Sequence, residues 1–142
     1  MSGPSVERNA LLLDRFKTVV AIVSIVVIGG LLVDGIQRRN LRQTLLAASP
    51  RYTVGIITRT AYVVSPSPHT ESFFEYRVSD SIYSGSSSGK AADGNRFLVK
   101  FAAQKPTIRQ FYDQVPIPDE IEAAPAEGWQ EPPFAVPEYV YE

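Results

Sequence analysis

Hydrophobic and polar positions change their spacing twice along this chain. From Thr18 to Val33 the sequence reads TVVAIVSIVVIGGLLV, without a charge and apolar on every face of a helix. At about 1.5 Å per residue that helix is roughly 24 Å long, and carrying it past Asp34 to Gln37 gives roughly 30 Å, the thickness of a bilayer's hydrocarbon core. The pattern predicts a transmembrane helix over residues 18–37. A buried strand is excluded by length, since the run is several times a normal strand. A core helix is disfavoured because about 105 residues follow, too few to enclose such a helix and also build their own core. A cleaved signal peptide is disfavoured because the small-residue site, Ala47 to Ser49, lies far downstream and precedes Pro50.

The flanks carry the charges. Residues 1–17 form an N-terminal tail that begins with Ser2, Gly3 and Pro4 and is expected to be disordered until the helix starts. Leu11, Leu12 and Leu13 precede Asp14, Arg15 and Lys17, so the helix can begin in water or at the interface. Residues 38–49 read as a basic juxtamembrane helix; from Asp34 to Ser49 the apolar Ile36, Leu41, Leu45 and Leu46 alternate with Arg38, Arg39 and Arg42. Those three arginines are the candidate contacts to lipid headgroups, and their plainer reading is a positively charged stop-transfer flank. Pro50 ends the helix. Gly29 and Gly30 are adjacent and build no Gly-x-x-x-Gly spacing, so helix dimerisation is unsupported. Basic residues nearly balance across the span, and the short N-terminal tail, easily translocated, tips the expectation towards a cytoplasmic C-terminal domain.

After Pro50 the period becomes two. Arg51 to Val64 reads as a long strand in which Gly55 marks a bulge or close packing. Ser65 to Thr70 is a loop, Ser72 to Val78 a second strand with one buried face, and Ser81 to Ser84 a short third. Gly85 to Gly94 reads as a flexible loop. Arg96 to Ala102 is a strong strand with Phe97, Val99 and Phe101 on one face and Arg96, Leu98 and Lys100 on the other. Lys105 to Tyr112 is expected to be a short helix or turn opening near Pro106. Residues 50–118 thus form a small antiparallel β-domain: an open sheet, a sandwich or a partly open small barrel.

Residues 119–142 are an acidic tail rich in proline and aromatic residues, extended because its prolines interrupt any regular element. Trp129, Phe134, Tyr139 and Tyr141 are too apolar for an ordinary solvated tail, so they should pack on the domain or on another subunit. They are the candidate partner-binding residues.

Composition narrows the chemistry. The 142 residues contain no cysteine and one histidine, His69, which excludes disulfides, thiolate metal sites and a histidine zinc site built from one chain. The net charge of −1 conceals an asymmetry: every Lys and Arg lies before residue 110, and only acids follow. Such a split can tether the tail to its own domain or offer it to a basic partner.

No catalytic constellation emerges. Gly85-Ser86-Ser87-Ser88-Gly89-Lys90 lacks a residue between the glycines for a phosphate loop, has Ala91 where a hydroxyl is needed, and leads into a strand instead of a helix. His69 and Glu71 lie in an extended loop without a third group. The serines have no evident base or oxyanion device, and Asp119, Glu120 and Glu122 lack the spacing of a calcium loop. Aromatic residues interleave with Arg77, Arg96 and Lys100 as in single-strand binders, yet their period places the rings in a core, so no nucleic-acid partner is expected.

The combination of Tyr52, Val54 and Gly55 with Phe74, Tyr76 and Val78, then Tyr83 and Gly85, then Asp93 through Phe101 and the trailing Lys105-Pro106 and Val115-Pro116 resembles a loose group of small bacterial membrane proteins of unknown function. In these an N-terminal helix precedes a compact all-β domain. The resemblance covers roughly residues 50–118, implies architecture, a single pass and a bacterial cytoplasmic membrane, and implies no activity. The expectation is a non-enzymatic, membrane-anchored structural or protein-interaction module without cofactor or metal, possessing the bilayer and another membrane protein or a second copy as partners. An accessory subunit of a membrane complex is one form of it. The alternative is a membrane-proximal ligand or lipid sensor.

Overall fold

The structure, a computed structural model, describes residues 4–142, with side chains from residue 13 onward. The disorder expected over residues 1–17 is not found from Pro4 on, where the backbone is helical, and residues 1–3 lie outside the described residues. The chain forms two compact units, Met1–Leu41 and Arg42–Glu142.

One helix, α1, runs from Pro4 to Ala48, so helical structure begins well before the apolar run. Pro4 suits the first helical position, where no N–H partner is needed. The segment Leu13–Ala48 is long and apolar enough to cross a membrane. Its large side chains from Leu13 to Leu41 are exposed, so the protein itself does not cover them. The hydroxyls in this stretch turn inward on their own helix. Thr18 Oγ1 donates to the Asp14 carbonyl (3.0 Å) and Ser24 Oγ to the Val20 carbonyl (2.8 Å), which suits an environment without water.

The second unit opens with the last turns of α1. Leu46 is buried, and the Arg42 guanidinium donates to the Arg109 carbonyl. Five antiparallel strands follow: β1 (Pro50–Val63), β2 (His69–Val78), β3 (Ser81–Ser88), β4 (Arg96–Ala102) and β5 (Lys105–Pro116). Their order in the sheet is β3-β2-β1-β4-β5. The sheet curls until its edge strands β3 and β5 approach each other, giving a half-barrel. The partly open barrel is therefore the form, among those expected, that the β-domain takes.

Strand alternation assigns the two faces. On the concave face, Ile57, Phe74, Tyr76, Val78, Val99 and Phe101 are buried together, with Tyr83, Phe97 and Phe111 against them. Phe74 stacks on Phe111 with ring centroids 4.2 Å apart, an arrangement that adds roughly 0.5–1.5 kcal/mol to burial. Gly55 belongs here for want of space: a Cβ would lie 2.6 Å from Val99 Cγ2. The bulge in β1 sits further on, between Ile57 and Arg59.

Three expectations are corrected. Lys105 to Tyr112 is the first part of a long strand. Ala102 pairs with Lys105 across a two-residue turn, Ala103-Gln104, in which neither residue takes a positive φ; the turn therefore needed no Gly, Asn or Asp to announce it. Pro106 fits near the start of an edge strand as well as it fits a helix's first turn. The third strand reaches Ser88, because pairing of Phe74 with Gly85 through Glu71 with Ser88 overrides the weak strand propensity of serine. The loop that follows is correspondingly short, and pinned. The Ser72 hydroxyl donates to the Gly89 carbonyl (2.8 Å) and accepts from the Ala91 amide (3.1 Å), while the Thr60 hydroxyl donates to the Ala91 carbonyl (2.7 Å).

Candidate functional site: a strapped face and an open edge

β4 is buried on both faces, Leu98 through Ala102 without interruption, although its alternation suggests one buried face. The residues after β5 supply the missing cover. Ile121, Trp129, Phe134 and Val136 pack on an outer-face cluster of Tyr52, Leu98, Tyr112, Val115, Ile117 and Val140. A short 3-10 turn, Glu138–Val140, brings Val140 in.

Three sets of polar contacts hold this strap. Trp129 exchanges both backbone hydrogen bonds with Tyr52 (2.9 and 2.7 Å), in the row beside β1 that β2 vacates at its turn. Here Gly128 takes φ +77°, and a Cβ would lie 2.7 Å from the Tyr52 carbonyl oxygen and 2.9 Å from the Phe101 ring. Arg96 donates to the carbonyls of Ile121, Glu122 and Pro118. Lys100, only 4% exposed, donates from Nζ to the Val140 carbonyl at 3.0 Å, and the Tyr112 hydroxyl donates to the same oxygen at 3.2 Å.

Electrostatics follow burial. Loss of hydration pulls the Lys100 ammonium below its usual pKa. The Tyr112 phenol is pushed up to about 12, first by burial and then by Tyr52 and Tyr139. Burial likewise raises Tyr52 and Tyr76, for which Arg109 offsets part of the effect. The strap's own acids, from Asp119 to Glu142, all face solvent, and Asp119 lies 3.9 Å from Arg96.

The predicted partner-binding residues divide. Trp129 and Phe134 are half-buried, their rings edge to face at 6.3 Å, and serve the domain itself. Tyr139 and Tyr141 are 44% and 50% exposed, although Tyr141 also lies edge to face with Tyr52. Of the predicted headgroup contacts, Arg38 pairs with Asp34 at 2.9 Å and Arg42 is engaged by Arg109. Arg39 is exposed. His69 lies at the start of β2, its Nδ1 3.0 Å from the Ser67 carbonyl oxygen.

Pattern reasoning missed the sheet edges. The outer edge of β5 is obstructed. Pro106 and Pro116 offer no N–H, the carbonyls of Pro106, Thr107 and Arg109 already accept from Tyr76, Arg109 and Arg42, and two irregularities interrupt its pairing. The edge of β3 has none of these devices. Residues 81–88 contain no charge, no proline and no bulge. Among the described residues, no hydrogen bond from outside the β2 pairing reaches them. Ile82 projects from this edge, 60% exposed. The signal was present as a run of small uncharged residues, which in isolation reads as a loop.

Between the far ends of β3 and β5 lies a cleft of about 180 Å³ with Phe97 and Phe111 in its lining and Ser87, Ser88, Lys90 and Asp113 around them. In comparisons with protein families, curated proteins and solved structures, no match to this chain was found.

Proposed function

We propose that this protein is a single-pass, membrane-anchored interaction module of a bacterial cytoplasmic membrane, non-enzymatic, with α1 as its anchor and the half-barrel as its working part. One observation carries the reading. The half-barrel leaves a full-length edge strand, β3, with its outward backbone groups unoccupied while the opposite edge is obstructed. An unshielded edge is a template for another strand, and main-chain pairing at such an edge is a recurring mode of protein recognition. A helix with uncovered apolar side chains supports the anchor.

The two exposed tyrosines of the strap, Tyr139 and Tyr141, supplement the edge as contact residues, whereas Trp129 and Phe134 act by holding the strap in place. The test is isolation of the full chain in mild detergent after crosslinking in its native membrane, with identification of whatever is joined to it. A defined partner, or a defined oligomer, is expected. Recovery of the uncrosslinked monomer alone overturns the reading.

A further inference from the structure

We propose that the cleft between the far ends of β3 and β5 binds a free amino acid in its zwitterionic form, one whose apolar side chain is about the size of a single ring. This goes beyond the interaction reading and does not depend on what pairs with β3.

The concave core is left unfinished at this cleft. Alternation puts Ser87 of β3, Phe97 of β4, and Phe111 and Asp113 of β5 on the concave face. Ala91, Phe97 and Phe111 pack on the concave cluster without being fully buried, and all three line the cleft. The strap packs on the outer-face cluster, and none of its residues lines the cleft. An apolar group that displaces water from this aromatic floor is therefore favoured.

The floor has a defined shape. Phe97 and Phe111 meet edge to face with ring centroids 5.6 Å apart, and Phe111 is fixed by its stack on Phe74. The wall formed by Gly89 to Ala91 is held by the hydroxyls of Ser72 and Thr60. The site is thus formed before a ligand arrives, which lowers the ordering cost of binding. Its volume is about 180 Å³. Since an apolar cavity of about 150 Å³ holds one benzene molecule, a single six-membered ring or a branched aliphatic group fits.

Charge at the rim selects the head of the ligand. The charged side chains that line the cleft are Lys90 and Asp113, one of each sign. Asp113 Oδ2 lies 3.7 Å from where a Cβ would stand on Gly89, which sets the carboxylate beside the backbone that carries Lys90. Among the described residues neither is in a salt bridge. An α-amino acid carries the complementary pair on one carbon, its ammonium matching Asp113 and its carboxylate matching Lys90. A phosphate or a simple carboxylic acid meets Asp113 with like charge, and a simple amine so meets Lys90. A divalent cation needs more oxygen ligands than one carboxylate supplies. Arg109, on the same row of β5, is set over Gly85 and lies outside the cleft lining.

The test uses the full chain in nanodiscs, with binding of radiolabelled L-phenylalanine measured by equilibrium dialysis against empty nanodiscs. Saturable binding is expected, displaced by unlabelled L-leucine and far less by glycine, which has the charges without the apolar body. Hydrocinnamate, phenethylamine and N-acetyl-L-phenylalanine amide keep the ring and lack one charge or both, so each should compete more weakly than phenylalanine. Lys90→Gln and Asp113→Asn, both at exposed positions, should leave the circular dichroism and the thermal midpoint in place. Each should weaken L-phenylalanine about two- to fivefold, as for loss of an exposed ion pair. Lys90→Gln should at the same time strengthen competition by phenethylamine, and Asp113→Asn that by hydrocinnamate, which a general distortion of the cleft would not do. Lys105→Gln, outside the cleft lining, should change nothing.

Absence of saturable binding, or binding that neither rim variant weakens, overturns the proposal. Equal competition by N-acetyl-L-phenylalanine amide overturns it too, because the occupant is then an aromatic side chain of a polypeptide. The crosslinking result in native membranes is decided separately, so the interaction reading stands or falls on its own.

Discussion

At the scale of single residues, Gly128, Lys100 and Tyr112 control how the strap is held. Gly128 combines a positive φ with a Cβ position already filled by backbone and by the Phe101 ring. Gly128→Ala is expected to cost about 1–3 kcal/mol, read as a lower thermal midpoint of the detergent-solubilised chain. Gly94→Ala supplies the comparison: φ there is +83°, but no atom lies within 4 Å of the added carbon, so it should cost less. Lys100 and Tyr112 make opposite contributions to alkaline stability. With the Lys100 pKa depressed in the folded chain, the unfolded chain holds the extra proton between the folded value and the ordinary 10.5, and stability rises with pH across that window. With Tyr112 raised to about 12 from 10.0, the unfolded phenol ionises first, and stability falls as pH climbs through that interval. A maximum near pH 10 is expected in denaturation midpoints measured against pH. Lys100→Met should flatten the rise, and Tyr112→Phe should soften the fall.

At the scale of elements, the strap is part of the domain's core. A chain lacking residues 119–142 loses the burial of Trp129, Phe134 and Val140 over Tyr52 and Leu98, where each fully buried large side chain is worth about 1.5–3 kcal/mol. Its half-barrel should therefore unfold at markedly lower temperature and bind a hydrophobic dye, which calorimetry and fluorescence would show. Loss of partner binding after such a truncation would not locate the contact. Much at this scale was legible in the sequence. The apolar run requires a helix, and the alternation of Phe74, Tyr76 and Val78 and of Phe97, Val99 and Phe101 requires strands. What escaped has definite causes. β5 was hidden by a proline compatible with two structures and by a turn free of signature residues. The far half of β3 was hidden because serine and glycine become a strand only when β2 pairs with them. The burial of Leu98 and Lys100 depends on Val140, forty residues beyond Lys100, a relation that no local period can express.

At the scale of the whole molecule, the sequence supports an anchor followed by a β-domain, and the structure adds the way the domain closes. One edge is obstructed, one face is strapped, and one edge stays free. The candidate site was partly legible. Trp129 and Phe134 were legible as too apolar for a solvated tail and pack on the domain, whereas Tyr139 and Tyr141 stay 44% and 50% exposed, and the β3 edge was concealed within a serine run. The strap also imposes an order on assembly. Synthesis delivers β1 through β5 before Trp129 and Val140, so the sheet exists for a time with its outer face wet and Lys100 fully hydrated. Strand pairing between near neighbours can proceed during that interval, whereas the contact of Tyr52 with Trp129 must close most of the domain into a loop. The last event of folding is then the dehydration of a lysine, and a nascent chain still awaiting it is the form most exposed to chaperones and proteases.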